Sequence, residues 1–118
     1  MTSTEDLNPV IVEAKIRETV TRITRGAAVC NDRYREKLRA AAEYDHAFAA
    51  AYMNHDGPAH EKRYAAELAT SPQRAVRDVA DAAHRYAEAQ ARALRDELDA
   101  WRSVGASLRE AYRSAGAL

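Results

Sequence analysis

From Ser71 to Ser114 the chain reads SPQRAVRDVADAAHRYAEAQARALRDELDAWRSVGASLREAYRS, forty-four residues with no proline after Pro72. Its last third, Asp99-Ala-Trp-Arg-Ser-Val-Gly-Ala-Ser-Leu-Arg-Glu-Ala-Tyr112, decides the fold. In heptads with Ala80 at a, that position recurs as Ala80, Ala87, Leu94, Trp101, Leu108 and Ala115. Val76, Val79, Ala83, Tyr86, Leu98, Val104 and Tyr112 broaden the seam into a face. Arg92, Arg95, Arg102, Arg109 and Arg113 fall on the other side. Ser71-Pro72 opens the run with a capping oxygen and a first-turn ring, and Gly116 follows its last periodic residue. The pattern predicts one long amphipathic helix, and such a helix must pack on something.

The rest of the chain supplies the partner. Residues 1–8 read as a disordered leader, and residues 9–118 as a single helical domain. Asn8-Pro9 then caps a helix running to about Met53. Its apolar positions Ile16, Val20, Ile23, Ala27, Cys30, Tyr34, Leu38, Ala41, Phe48 and Tyr52 alternate by three and four, except where Asp45 takes the next place. Gly26 inside this helix costs ~1 kcal/mol relative to alanine, either for a close helix crossing or as a tolerated glycine. Asn54-His-Asp-Gly-Pro58 is the strongest turn signal in the chain. A short helix over 58–69 should follow, with Tyr64, Ala65 and Leu68 inward. Pro72 then kinks or briefly breaks the second arm, because it lacks an N–H and clashes with the carbonyl of Leu68.

The first helix and the 72–114 helix are each roughly 60–65 Å long at 1.5 Å per residue. Matched lengths and a tight connection predict an all-α antiparallel hairpin with a kinked second arm. The seams are thin. Of 118 residues 27 are alanine, whereas leucine, isoleucine, valine and phenylalanine together number 18. A composition so poor in large aliphatics suggests disorder, but zero net charge and the helix preference of alanine argue against it. A lone hairpin of this kind leaves part of each seam wet, so self-association into a bundle, or docking on a partner, is expected.

Charge and cysteine usage narrow the classes. Eighteen basic and eighteen acidic residues cancel, so nucleic acid or anionic lipid can be attracted only by a local patch. The single Cys30 excludes an internal disulfide. No apolar run approaches the ~20 residues of a membrane span, and the acidic N-terminal stretch is unlike a signal peptide. A cytoplasmic protein is expected, with no membrane partner.

Chemistry finds no foothold. His46, His55 and His60, with Asp45 and Asp56, gather at the predicted turn without the His-x3-His or Cys-x2-Cys spacing of a zinc site. They read as a polar hairpin tip, and His84 as a packed residue at the seam edge. Cys30 lies on the inner stripe, where an inert thiol is expected. The four glycines are scattered, so no phosphate cradle forms. No enzyme, metal, cofactor or small-molecule substrate is expected. Two basic patches remain. Arg33, Arg35, Lys37 and Arg39 spread round their helix, whereas Arg95, Arg102 and Arg109 repeat every seven residues beside Arg92 and Arg113. The second set reads as a phosphate-tracking stripe or as the cations that a helix C-terminus favours. On the inner side Leu94, Leu98, Trp101, Val104, Gly105, Leu108 and Tyr112 are the expected packing surface. Gly105 would let another helix approach closely, and Ser103 and Ser107 could hydrogen-bond across the crossing.

Trp101-Arg-Ser-Val-Gly-Ala-Ser-Leu-Arg109 with Tyr112 resembles a recurring ending of small helical proteins from bacteriophages and prophages. Tyr64-Ala-Ala-Glu-Leu-Ala-Thr70 and Tyr86-x-x-Ala89 resemble the same group, so the likeness covers roughly residues 60–113. Many such genes lie in early phage regions beside genes for single-strand annealing recombinases or single-strand-binding proteins. The resemblance implies a non-enzymatic accessory role in DNA recombination or replication, through DNA itself or a DNA-processing partner. The alternatives are a helical interaction module that inhibits or adapts a host protein, and a virion assembly component. Glycine at 105 departs from the group, where a larger polar residue is usual.

Overall fold

In the computed structural model, residues 7–116 are described. The expected disorder of the leader lies outside the described residues for positions 1–6, and the end of the expected domain does so for 117–118. The fold is an all-α helical hairpin with a broken second arm. Helix α1 spans Pro9–Asn54, α2 Ala59–Ala69 and α3 Ser71–Gly116, with no strand among the described residues.

Local chemistry accounts for each boundary. Asn8 accepts the N–H of Ile11 on its Oδ1 at 3.0 Å, and its carbonyl accepts the N–H of Val12 at 3.0 Å, which starts α1. The turn after α1 depends on Gly57, whose φ of +149° suits no L side chain. A Cβ there would also stand 2.6 Å from Glu61 Oε2. Pro58 precedes α2 in extended backbone, and Glu61 in the first turn complements the helix dipole. The break between α2 and α3 is one residue, Thr70, whose Oγ1 and N–H both donate to the Ala66 carbonyl, at 2.6 and 3.1 Å. Nearby, the Arg74 guanidinium donates to the Glu67 carbonyl at 2.7 Å. A side chain therefore satisfies an acceptor that the interrupted helix leaves without its regular donor. Ser71 lies inside α3, so it is not the cap that its position before Pro72 suggests.

The hairpin divides into two compact units. One joins the start of α1 (to Ala28) to the end of α3 (from Ala89); the other comprises residues 29–88. We call them the terminal unit and the turn unit.

In the terminal unit Val12, Thr19, Leu94, Leu98 and Gly105 are buried, with Ile16, Ile23, Trp101, Val104 and Leu108 half-buried. In this unit the buried and half-buried positions of α1 after Ile11 run Val12, Ile16, Thr19, Ile23 and Gly26, at the 3.5-residue period of a coiled coil. Val20 and Ala27 were expected on this seam but are exposed. Thr19 takes the place instead because its hydroxyl donates to the Lys15 carbonyl at 2.7 Å and so costs no unpaired polar group. On α3, Tyr112 is 57% exposed and is not a packing residue. Gly105 stands against Val12, only three residues from the start of α1, so among the described residues α1 ends before it reaches Tyr112. Ala115, the last expected a position, is exposed for the same reason, and Ser103 and Ser107 are exposed rather than set in a crossing.

The two helical glycines make different contacts. A Cβ at Gly26 would lie 3.7 Å from Leu94 Cδ1, an ordinary contact, whereas one at Gly105 would lie 3.3 Å from Val12 Cγ1. Gly26→Ala is therefore expected to add about 1 kcal/mol of stability through helix propensity. The corresponding rise of roughly 4 °C should be visible in a melt followed by circular dichroism. Gly105→Ala should gain less or nothing, since Val12 must shift to admit it.

The turn unit is built differently. Its buried residues are Ala40, Ala66, Thr70, Ala80 and Ala87, and it buries no large aliphatic side chain completely. Small residues on the seam let helices approach closely, and larger neighbours turn outward. Tyr34 and Leu38 on α1 and Val76, Val79 and Tyr86 on α3 are exposed, contrary to the seam expected for them. The buried residues here are Ala66 of α2 and, one turn on, its cap Thr70; Ala65 is half-buried as expected, but Tyr64 is exposed and Leu68 is 80% exposed, contrary to expectation. Tyr44, Phe48 and Tyr52 form an aromatic ladder with centroids 6.1 and 6.4 Å apart. Cations cover it, with Arg77 4.3 Å from the Tyr44 ring and Lys62 5.8 Å from the Tyr52 ring. The seam passes through Tyr44 and leaves Asp45 exposed, which removes the apparent break in the α1 pattern.

Candidate nucleic-acid interface

Helix α3 carries Arg92, Arg95, Arg102, Arg109 and Arg113 in the terminal unit, and all five are exposed. At 3.6 residues per turn they occupy a sector of about 100° that borders the buried line of Leu94, Leu98 and Gly105, and so flank the seam instead of lying on the opposite side as expected. Packing on that line fixes which way the arginines face. Arg95, Arg102 and Arg109 recur about 10.5 Å apart along the axis.

The partners of these guanidinium groups are few. Arg102 reaches Asp99 at 4.0 Å and Arg113 reaches Glu110 at 3.5 Å, both exposed pairs of small energetic weight. Among the described residues no carboxylate stands within ion-pair distance of Arg92, Arg95 or Arg109. Elsewhere pairing is commoner. Arg17 meets Glu13 at 2.8 Å, Arg22 meets Glu97 at 3.2 Å and Arg85 meets Asp81 at 2.8 Å. Arg39 donates to both Glu36 and Glu43, and its guanidinium holds the Glu36 carboxyl below the usual range.

Over residues 1–28 and 89–118 the sequence holds nine basic and eight acidic side chains, and over 29–88 nine and ten, so neither unit carries a large net charge. What folding adds is proximity, since the two segments of the terminal unit lie sixty residues apart in sequence. Lys15, Arg17, Arg22 and Arg25 of α1 join the five α3 arginines in that unit. Guanidinium groups so placed can donate paired hydrogen bonds to phosphate oxygens at little desolvation cost.

The four histidines and Cys30 belong to the turn unit. His84 packs against Tyr34 with ring centroids 5.4 Å apart, and its Nδ1 lies 3.5 Å from Glu88 Oε1. His55 lies 3.9 Å from Glu61 Oε2, while His46 lines a shallow groove with Arg39 and Gln73. Cys30 is half-buried on α1. Among the described residues no three histidine, cysteine or carboxylate side chains are placed to hold a metal ion, and no helix is long and apolar enough to cross a membrane. The basic set Arg33, Arg35, Lys37 and Arg39 stays dispersed, with Lys37 paired to Asp81 at 3.4 Å. No family model, curated protein or solved structure matches the chain.

Proposed function

We propose that this hairpin is a non-enzymatic accessory protein that holds nucleic-acid backbone along the arginine stripe of α3, in DNA recombination or replication of the phage or prophage kind. The observation that carries the reading is the arginine stripe of the terminal unit, with Arg92, Arg95 and Arg109 exposed and without carboxylate partners among the described residues. The likeness of residues 60–113 to early-region phage proteins supports the DNA context. In this reading the protein works as a homo-oligomer in the cytoplasm, which would set two stripes on one nucleic-acid segment. A second reading, a protein-interaction module without nucleic-acid contact, draws on the exposed Val76, Val79, Tyr64 and Leu68.

Binding to single- and double-stranded DNA across a salt series, followed by fluorescence anisotropy, tests the first reading. Replacing Arg95, Arg102 and Arg109 together with glutamine keeps side-chain length and helix propensity while removing charge. Affinity should fall for every sequence, and the slope of log affinity against log salt should flatten by about two to three units. Absence of wild-type binding near 100 mM salt, or a triple variant that binds as well as wild type, would refute it.

A further inference from the structure

The turn unit carries a groove of about 360 Å³ lined by Ala75, Val76, Val79, Ala80 and Ala83 of α3, with Arg33 and Glu36 of α1 on its rim. Val79 is 69% exposed, and Val76 and Tyr86 are exposed on the same stripe at helical spacing. These side chains lie over a seam that buries only alanines and Thr70. A unit of about sixty residues with so small a core is marginal by itself. Its large apolar side chains are on the outside.

We infer that a second copy of this chain covers the groove, face to face, about a two-fold axis level with Ala83. Three observations select that occupant. The first is charge. Tyr34 meets His84 and Lys37 pairs with Asp81, so the midpoint between Arg33 and Glu36 stands level with Ala83 to within about a residue. A two-fold at that level runs α1 antiparallel to its copy and sets each Arg33 against Glu36 of the other chain. No carboxylate lies within ion-pair distance of Arg33 among the described residues. The second is fit. The same axis brings Ala83 near its own copy and Val79 to within about a residue of the level of Tyr86 of the other chain, a small residue at the centre flanked by two large apolar pairs. The third is area. From Pro72 to Gln90 α3 is about 27 Å long, and two helices side by side are about 20 Å wide. The face covers about 550 Å² in projection, and side-chain relief brings the accessible area toward the ~800 Å² per partner of a specific interface.

The inference specifies the oligomer assumed in the proposed function, but it rests on the other unit and is read by mass instead of DNA affinity. Sedimentation velocity from 1 to 100 µM should show a reversible dimer. Val79→Asp, at an exposed position, should keep its helical circular dichroism and weaken dimerisation at least tenfold. Arg33→Glu and Glu36→Arg should each weaken it several-fold, and the double exchange, self-complementary again across the two-fold, should restore it to within about twofold. A wild type that stays monomeric at 100 µM overturns the inference and leaves the groove to a helix of another protein. A dimer that survives Val79→Asp, or a double exchange no better than either single change, overturns the two-fold. DNA binding by the monomeric Val79→Asp variant separates the two ideas, since the stripe can then act without this face. Loss of DNA binding in the arginine triple variant with the dimer intact counts for the stripe and leaves the interface standing.

Discussion

Leu98→Ala is expected to lower stability by about 3 kcal/mol, and Leu94→Ala by a similar amount. Both side chains are 9% exposed, and they are the only buried leucines among the described residues. Each removes three carbons from a core whose other buried members are Val12, Thr19 and Gly105, so little can collapse into the space. For a chain of this length the shift is roughly 12 °C in melting temperature. Trp101, the one tryptophan, lies in the same unit and reports its unfolding by fluorescence. Trp101→Ala, although it removes more atoms, should cost only about 2 kcal/mol because the ring is half-buried. A loss below about 1 kcal/mol for Leu98→Ala would mean that α1 and α3 are not packed on each other in solution.

The elements were legible because their signals are local. Proline at 9, 58 and 72, glycine at 57 and the capping Asn8 each act within one helical turn, and they place three helices within a residue or two. Which face each helix buries was less legible. A stripe read by hydrophobicity runs through Val20, Tyr34 and Leu38, whereas the buried line runs through Thr19 and Ala40. In an alanine-rich seam size decides the matter, since a small polar residue with a local hydrogen bond permits a closer approach than a large apolar one. The same competition oriented α2, where Ala66 and Thr70 displaced Tyr64 and Leu68. For the candidate site, the arginine spacing was visible in one helix. The gathering of Lys15, Arg17, Arg22 and Arg25 into one unit with those arginines was not, because it depends on a pairing between distant segments. The same holds for the exposed apolar groove, whose residues had been assigned to the interior.

Ala40→Leu should test the alanine seam most directly, with an expected loss of about 2–3 kcal/mol. Ala40 is 1% exposed on α1 in the turn unit, whose buried residues are all alanines apart from Thr70. Leucine and alanine differ little in helix propensity, so an effect of this size cannot come from the isolated helix. It would come from three added carbons forced between helices spaced for a methyl group, which off-rotamer side chains or a wider separation must accommodate. Ala42, two residues along, is exposed, and Ala42→Leu should stay within about 0.5 kcal/mol of wild type. Urea titrations followed by helical circular dichroism give both numbers, provided the slope with denaturant is unchanged. Equal stability of the two variants would show that the helices of the turn unit are not held at alanine spacing. A large loss for Ala40→Leu alone would place the close seam at Ala40, and with it the reason that Val76, Val79 and Tyr86 are left outside.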